Sequence, residues 1–186
     1  MWVNYPHMPT GASATKTLFD DLVAFANKHQ ILIVNDNPYS FVLNNQPMSI
    51  LSHAKANDPV LELNSLSKTF NMAGWRVGMV MGASHLIQQV LKVKSNMDSG
   101  MFFGIQKGAI AALHCSASWY ESMNQIYSKR REWVWKLADL LGCEYDRSSS
   151  GMFVWAKLPK DAPDAEVFID DVLHSKHVFL TPGTVF

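Results

Sequence analysis

The chain has 186 residues, 48% of them apolar, and its 16 Lys plus Arg are matched by 16 Asp plus Glu. That is enough apolar surface for a real core with room for more than one lobe. The balanced charge gives no reason to expect nucleic acid or an anionic membrane surface as a partner. No apolar stretch approaches the length of a membrane span, and no signal peptide opens the chain. Cys115 and Cys143 lack metal or redox spacing, so they are expected to be reduced and buried in a cytoplasmic protein. The seven histidines suggest no ligand cluster, and no metal site is expected.

In chain order, a strand is predicted at about 1–4. Asn4-Tyr5-Pro6-His7-Met8-Pro9-Thr10-Gly11 follows, where two prolines and a glycine enforce an irregular turn. Leu18, Leu22, Phe25 and Ala26 recur at helical spacing and predict a helix over 14–29. Ile31-Leu-Ile-Val34 is a short unbroken apolar run, the mark of a strand buried on both faces of a parallel sheet (31–35). It runs into Asn35-Asp36-Asn37-Pro38-Tyr39. A short helix near 49–56 and a strand at 60–64 come next. A strand at 77–82 follows after about a dozen residues. That is barely room for a parallel crossover, so this strand is predicted to be antiparallel. A helix is predicted at 84–95.

From Phe102 two helices are predicted, with a break near Ser116-Ala-Ser118. In the second, Trp119, Met123, Ile126, Tyr127, Arg130, Val134, Leu137 and Leu141 keep a period near 3.5 and form one apolar face, with Lys129, Arg131 and Glu132 elsewhere. Gly142 can end that helix in the left-handed conformation. The remainder reads as a strand near 144–147, a turn at 148–151, strand 152–157, loop 158–163, helix 164–175 and strand 177–180.

The chemistry concentrates in Asn64-Ser-Leu-Ser-Lys68-Thr-Phe-Asn-Met-Ala-Gly-Trp-Arg76-Val-Gly78. A lone lysine after a strand is ordinarily a solvated surface residue. Here Ser65 and Ser67 precede Lys68, and Arg76 follows it. The lysine can form an imine with an aldehyde, and hydroxyls and a guanidinium can hold a dianionic phosphate. Pyridoxal 5′-phosphate (PLP) is an aldehyde that carries a phosphate. Ligands of open α/β sheets sit at the carboxyl ends of strands. Asp36 there can keep a pyridine nitrogen protonated, and Tyr39 can donate to the ring's phenolic oxygen. The plainer alternative is a capping Asp and a packing Tyr in a proline turn. Trp75 is expected to brace the turn that aims Arg76.

The order N-Y-P-x-x-P-T-G, then D-N-P-Y, then S-x-S-K-T-F-x-M-x-G-W-R-x-G resembles the class I/II aminotransferases of the PLP fold-type I superfamily, over nearly the whole chain. The resemblance implies an α/β fold: part of the PLP-transferase large-domain sheet, mostly parallel with helices on both faces, plus part of a small α+β C-terminal domain. It divides the chain into 1–100 (the second half of the large PLP-binding domain), 101–141 (bridging helices) and 142–186 (part of the small domain). It makes Lys68 the Schiff-base lysine and Asp36 the partner of the pyridine nitrogen. Tyr39 would bind the phenolic oxygen, and Ser65, Ser67 and Arg76 the phosphate. The substrates would be an amino acid and a 2-oxo acid, and the protein a homodimer in which Lys94–Phe103 reaches the neighbour's active site. That segment is similar to enzymes of the diaminopimelate aminotransferase type. The resemblance also implies an internal piece, roughly half of a complete enzyme and inactive alone. The chain departs from the family at Met8, where an Asn amide usually bonds the phenolic oxygen; a thioether cannot donate. A PLP-dependent carbon–sulfur lyase of the same fold and a non-catalytic cofactor-fold module are the alternatives.

Overall fold

A computed structural model describes residues 1–186. Its main sheet has four strands in the order β1 (Trp2–Asn4), β2 (Ile33–Asp36), β3 (Val60–Ser65) and β4 (Gly78–Gly82). The first three are parallel, with Val34 opposite Trp2 and Leu61 opposite Val34. β4 runs antiparallel to β3, pairing Ser65 with Gly78 and Leu61 with Gly82, as the short connection predicts. The fold is therefore α/β with a mostly parallel sheet.

Helix α1 (Lys16–His29) covers one face. It starts two residues later than the periodicity suggests because Thr15 is the cap: its hydroxyl accepts from Leu18 N at 3.1 Å. Lys28 stands in its last turn, where positive charge meets the carbonyl end favourably. Phe19, Val23 and Ala26 of α1 pack on Ile33, Val60 and Ile50 to form the main core cluster. Each large side chain buried there contributes about 1.5–3 kcal/mol. The segment expected as a helix over 49–56 is a single 3-10 turn, Ile50–Ser52, capped by the Ser49 hydroxyl. It is too short to cross the sheet and serves to drop Ile50 into the core.

Beyond β3 come a one-turn helix α2 (Leu66–Thr69) and a 3-10 turn, Ala73–Trp75. Then follow α3 (Ser84–Met97), α4 (Phe103–Leu113) and the long α5 (Ala117–Leu140). Cys115, in the turn between α4 and α5, is exposed, and Cys143 is half-buried; both are free thiols, and neither is fully buried as expected. The predicted apolar stripe of α5 is only partly covered. Met123 is buried, but Trp119, Ile126, Val134 and Leu137 remain exposed. Val134, Leu137 and Leu141 instead line an open apolar cavity of about 280 Å³ together with Phe168 and Ile169 of α6 (Ala165–Lys176). Gly142 ends α5 as predicted, with φ 66° and the Cys143 N–H returned to the Ala138 carbonyl.

The last part is less regular than the sequence suggests. β5 (Glu144–Tyr145) and β6 (Ala156–Lys157) pair over two residues each, so only the end of the expected strand 152–157 forms. Residues 177–180 form no strand. Extended backbone becomes a strand only when a neighbour accepts its hydrogen bonds, and none lies beside these residues. No helix is long and apolar enough to cross a membrane.

Candidate active site

Because β1, β2 and β3 are parallel, their carboxyl ends fall together, and the chain leaves them at Asn4, Asp36 and Ser65. The first turn hangs on the end of β2. Asn4 Nδ2 donates to the Asp36 carbonyl at 2.6 Å, and Asn4 Oδ1 accepts from Met8 N at 2.6 Å. Tyr5 N donates to Asn35 Oδ1 at 3.1 Å. The Tyr5–Pro6 and Met8–Pro9 bonds are both cis. Gly11 closes the turn at φ 73°, a conformation that suits glycine. It also has no room for a side chain, because a Cβ there would lie 2.5 Å from the Ser150 carbonyl oxygen.

Beneath Asp36, the buried Asn35 and Glu62 bind the layers. Glu62 Oε2 accepts from Asn35 Nδ2 at 3.1 Å and from Ile50 N at 3.0 Å. One carboxylate thus links β2, β3 and the Ile50 turn from inside the core.

Lys68 sits in α2, half-buried, with its Nζ 5.8 Å from the centroid of the Tyr39 ring. Tyr39 is 6% exposed, wedged among Val42, Met123, Met8 and Tyr127, with Phe153 edge-on at 6.0 Å. Partial burial pushes the Asp36 carboxyl above its usual range. Burial first, then the Asp36 charge and then Tyr127, raise the Tyr39 phenol. Amine, carboxylate and phenol therefore share one locality. Neither Lys68 nor Asp36 takes part in a salt bridge.

The other expected residues are brought near by backbone pairing. Ser65 caps α2, its Oγ accepting from Ser67 N at 3.1 Å. Leu66 N donates to the Val77 carbonyl, which sets Arg76 beside the Ser65–Ser67 end. Arg76 itself is exposed, left-handed at φ 55°, and its Nη1 donates to Ala73 O of its own turn at 3.0 Å. Its guanidinium is not engaged with either serine. His7 does not stand in for the amide missing at Met8, because its Nδ1 is 2.7 Å from Thr10 Oγ1. Met8 packs its thioether against the Tyr39 cluster.

Two contributors escaped the sequence reading. Tyr127, counted only as part of an apolar stripe, faces Tyr39. The Ser148–Gly151 turn, read as a plain connector, straps the site: Ser150 N donates to Gly11 O and Gly151 N to Val42 O, each at 2.8 Å. Arg131, expected on the polar side of α5, donates to Ser149 O at 2.9 Å and stacks over Trp135. The run of small polar residues before Gly151 was the available signal. Arg147 is occupied elsewhere, 2.8 Å from Asp139 and against Trp135 and Tyr145.

Known proteins resemble this chain over its whole length. A family model described as aminotransferase class I and II matches residues 1–186. The LL-diaminopimelate aminotransferase of Nitratidesulfovibrio vulgaris is 38% identical over 189 residues, covering 100% of this chain and 49% of its own length. That of Aquifex aeolicus is 36% identical over 188 residues, covering 100% and 48%. Among solved structures, substrate-bound BacF from Bacillus subtilis superposes with a TM-score of 0.92 at 36% identity, covering 100% of this chain and 48% of its own. A probable N-succinyldiaminopimelate aminotransferase from Thermus thermophilus gives 0.89 at 28% identity, covering 100% and 50%. The chain spans about half the length of the curated relatives it matches.

Proposed function

Because this chain belongs to the class I and II aminotransferase family, we propose that the protein containing it moves an amino group between an amino acid and a 2-oxo acid, using PLP joined to Lys68. The observation that carries this reading is the meeting of the Lys68 amine, the Tyr39 phenol and the Asp36 carboxyl at the strand ends, with no ion pair consuming either charge. The residues fit the cofactor. Asp36 resists ionising because it is partly desolvated, and a cation beside it offsets that; a protonated pyridine nitrogen is such a cation. Tyr39 has an O–H to donate to a phenolic oxygen. Ser65, Ser67 and Arg76 supply hydroxyls and a guanidinium for a phosphate.

Bound PLP supplies an electron sink for the pair left when the substrate's α-carbon loses its proton. The chain's own task is proton movement and positioning. The Lys68 amine takes the proton and returns it, acting as base and then acid. Asp36 would hold a protonated ring nitrogen when the cofactor is bound. Residues 1–100 would form the cofactor-binding part and 142–186 a smaller part joined to it through α4 and α5.

The names of the relatives support a donor of the diaminopimelate type, an amino acid with a second charged end. We extend the proposal to a cytoplasmic homodimer in which Lys94–Phe103 reaches the neighbour's site. The exposure of Met97, Phe102 and Phe103, at 78%, 75% and 65%, supports an interface there.

The test is a titration of the chain with PLP followed by borohydride reduction and peptide mapping. A label on Lys68 is expected. Label confined to Lys55, Lys92 or Lys94, or no visible-range band at all, would sink the assignment, the latter in favour of a non-catalytic module. In the whole protein, release of a keto acid only when an amino acceptor is present separates transfer from carbon–sulfur lysis.

A further inference from the structure

Arg76 holds a backbone conformation that costs a non-glycine residue about 1–2 kcal/mol. Such a conformation persists where its neighbours over-determine it. Both neighbours are pinned to the same helix. On one side, Trp75 lays its indole against α4 at Gly108, where a Cβ would fall 2.5 Å from Cζ3 and 3.1 Å from Cε3 and Cη2. On the other side, Val77 is 8% exposed and packs in the cluster containing Leu66, Phe70 and Ala112, with Ile105 and Ala109 alongside. Residues 105, 108, 109 and 112 share one face of α4. The loop is thus gripped at two points along that face, and Arg76 stands between them. The glycine at 74, by contrast, has open space where a side chain would go.

We propose that Gly108 is a positioning residue for phosphate recognition: its bare backbone lets Trp75 lie flat on α4, and the two anchors together aim Arg76 at the phosphate of the cofactor. This rests on the PLP reading above. A methyl group at 108 meets the six-membered ring of the indole, which must lift. Trp75 is 47% exposed, so its ring can move; for the aim to change, that movement must reach Arg76, its chain neighbour, while Asp36 and Tyr39 are held by contacts outside this loop.

The experiment compares PLP with pyridoxal, which has the aldehyde but no phosphate, by titrating the visible band of the 186-residue chain. The ratio of the two affinities reads the grip on phosphate. Gly108→Ala is expected to weaken PLP about five- to tenfold and to leave pyridoxal within about twofold, the scale of one misaligned charge-assisted pair. Trp75→Phe removes the atoms the methyl would strike, so the double variant is expected to match Trp75→Phe alone, a non-additivity diagnostic of direct contact. Equal losses for both ligands would mean general damage and overturn the proposal, as would strictly additive effects or an unchanged ratio. Equal affinities of the wild-type chain for PLP and pyridoxal would also overturn it while leaving Lys68 in its role. Failure of the wild-type chain to bind either would remove the PLP reading and this inference together.

Discussion

Replacing Glu62 with Ala removes the only carboxylate buried in the sheet, and the structure sets the size of the effect. Both of its hydrogen bonds converge on a single oxygen, from Asn35 Nδ2 and from Ile50 N, in a residue 2% exposed. Stranding two buried donors costs about 1–3 kcal/mol each, so a loss of roughly 3–5 kcal/mol is expected. Glu62→Gln behaves differently, because an amide carbonyl in the same place accepts both bonds, and it should stay within about 1 kcal/mol of wild type. Urea unfolding of the 186-residue chain resolves the two. With a slope of about 1–3 kcal/mol per molar, a 3 kcal/mol loss moves the midpoint by about 1–3 M. The damage should spread to the site, since Asn35, released from Glu62, also holds Tyr5 N; faster amide exchange at Tyr5 and Ile50 is the local signature. Indistinguishable midpoints for the Ala and Gln variants would refute the reasoning. That result would mean the two donors find other partners once the side-chain acceptor is gone.

Three further outcomes follow from the site. On the proposed PLP reading, Met8→Asn in the whole protein adds a donor for the ring's phenolic oxygen, worth about 1.5–3 kcal/mol; at about 1.36 kcal/mol per unit the pH at which the imine band titrates should fall by roughly one unit, and a superimposable titration would count against the contact. Asp36 has its folded-state pKa raised by burial, so the folded chain binds this proton more readily than the unfolded chain; without cofactor, its own contribution to stability declines as pH rises from the ordinary carboxylate value through the raised one, and the stability of Asp36→Asn relative to wild type should rise over that range in thermal melts recorded across pH, a constant difference counting against the burial. Gly11→Ala meets the Ser150 carbonyl in a left-handed conformation and should lose about 2 kcal/mol or more; a urea midpoint equal to wild type would show that the strap is free to shift.

The periodic parts of the chain were legible and the cooperative parts were not. Helix α1 and the strand ending at Asp36 follow from apolar spacing, and the direction of β4 follows from the length of its connection. Helix α2 is four residues long and too short to show a period, yet it determines where Lys68 points. The failed strand at 177–180 has suitable residues but no partner, and strand formation depends on partners more than on propensity. Glu62 sits inside an otherwise apolar strand, and nothing local reveals that Asn35 and Ile50 will satisfy it. Ser149–Gly151 reach the site from more than a hundred residues away, beyond any local pattern. The residues proposed to hold PLP stand out in the sequence because each motif is contiguous. The packing that fixes Arg76 was not, because Gly108 is an unremarkable residue until Trp75 is seen lying on it.

The strap at Ser150 bears on how the chain comes to be folded. Its Oγ lies 2.9 Å from that of Ser13, across 137 residues of sequence. Contacts of such separation must wait for a large loop to close, which places them late in folding. During synthesis the Gly11 turn and the Tyr39 wall emerge long before the segment that secures them. Newly made chains would therefore pass through a stage with the sheet assembled and this wall still yielding. Pulse-labelled amide exchange during refolding should find protection at Val34 and Leu61 first and at Ser150 and Gly151 last.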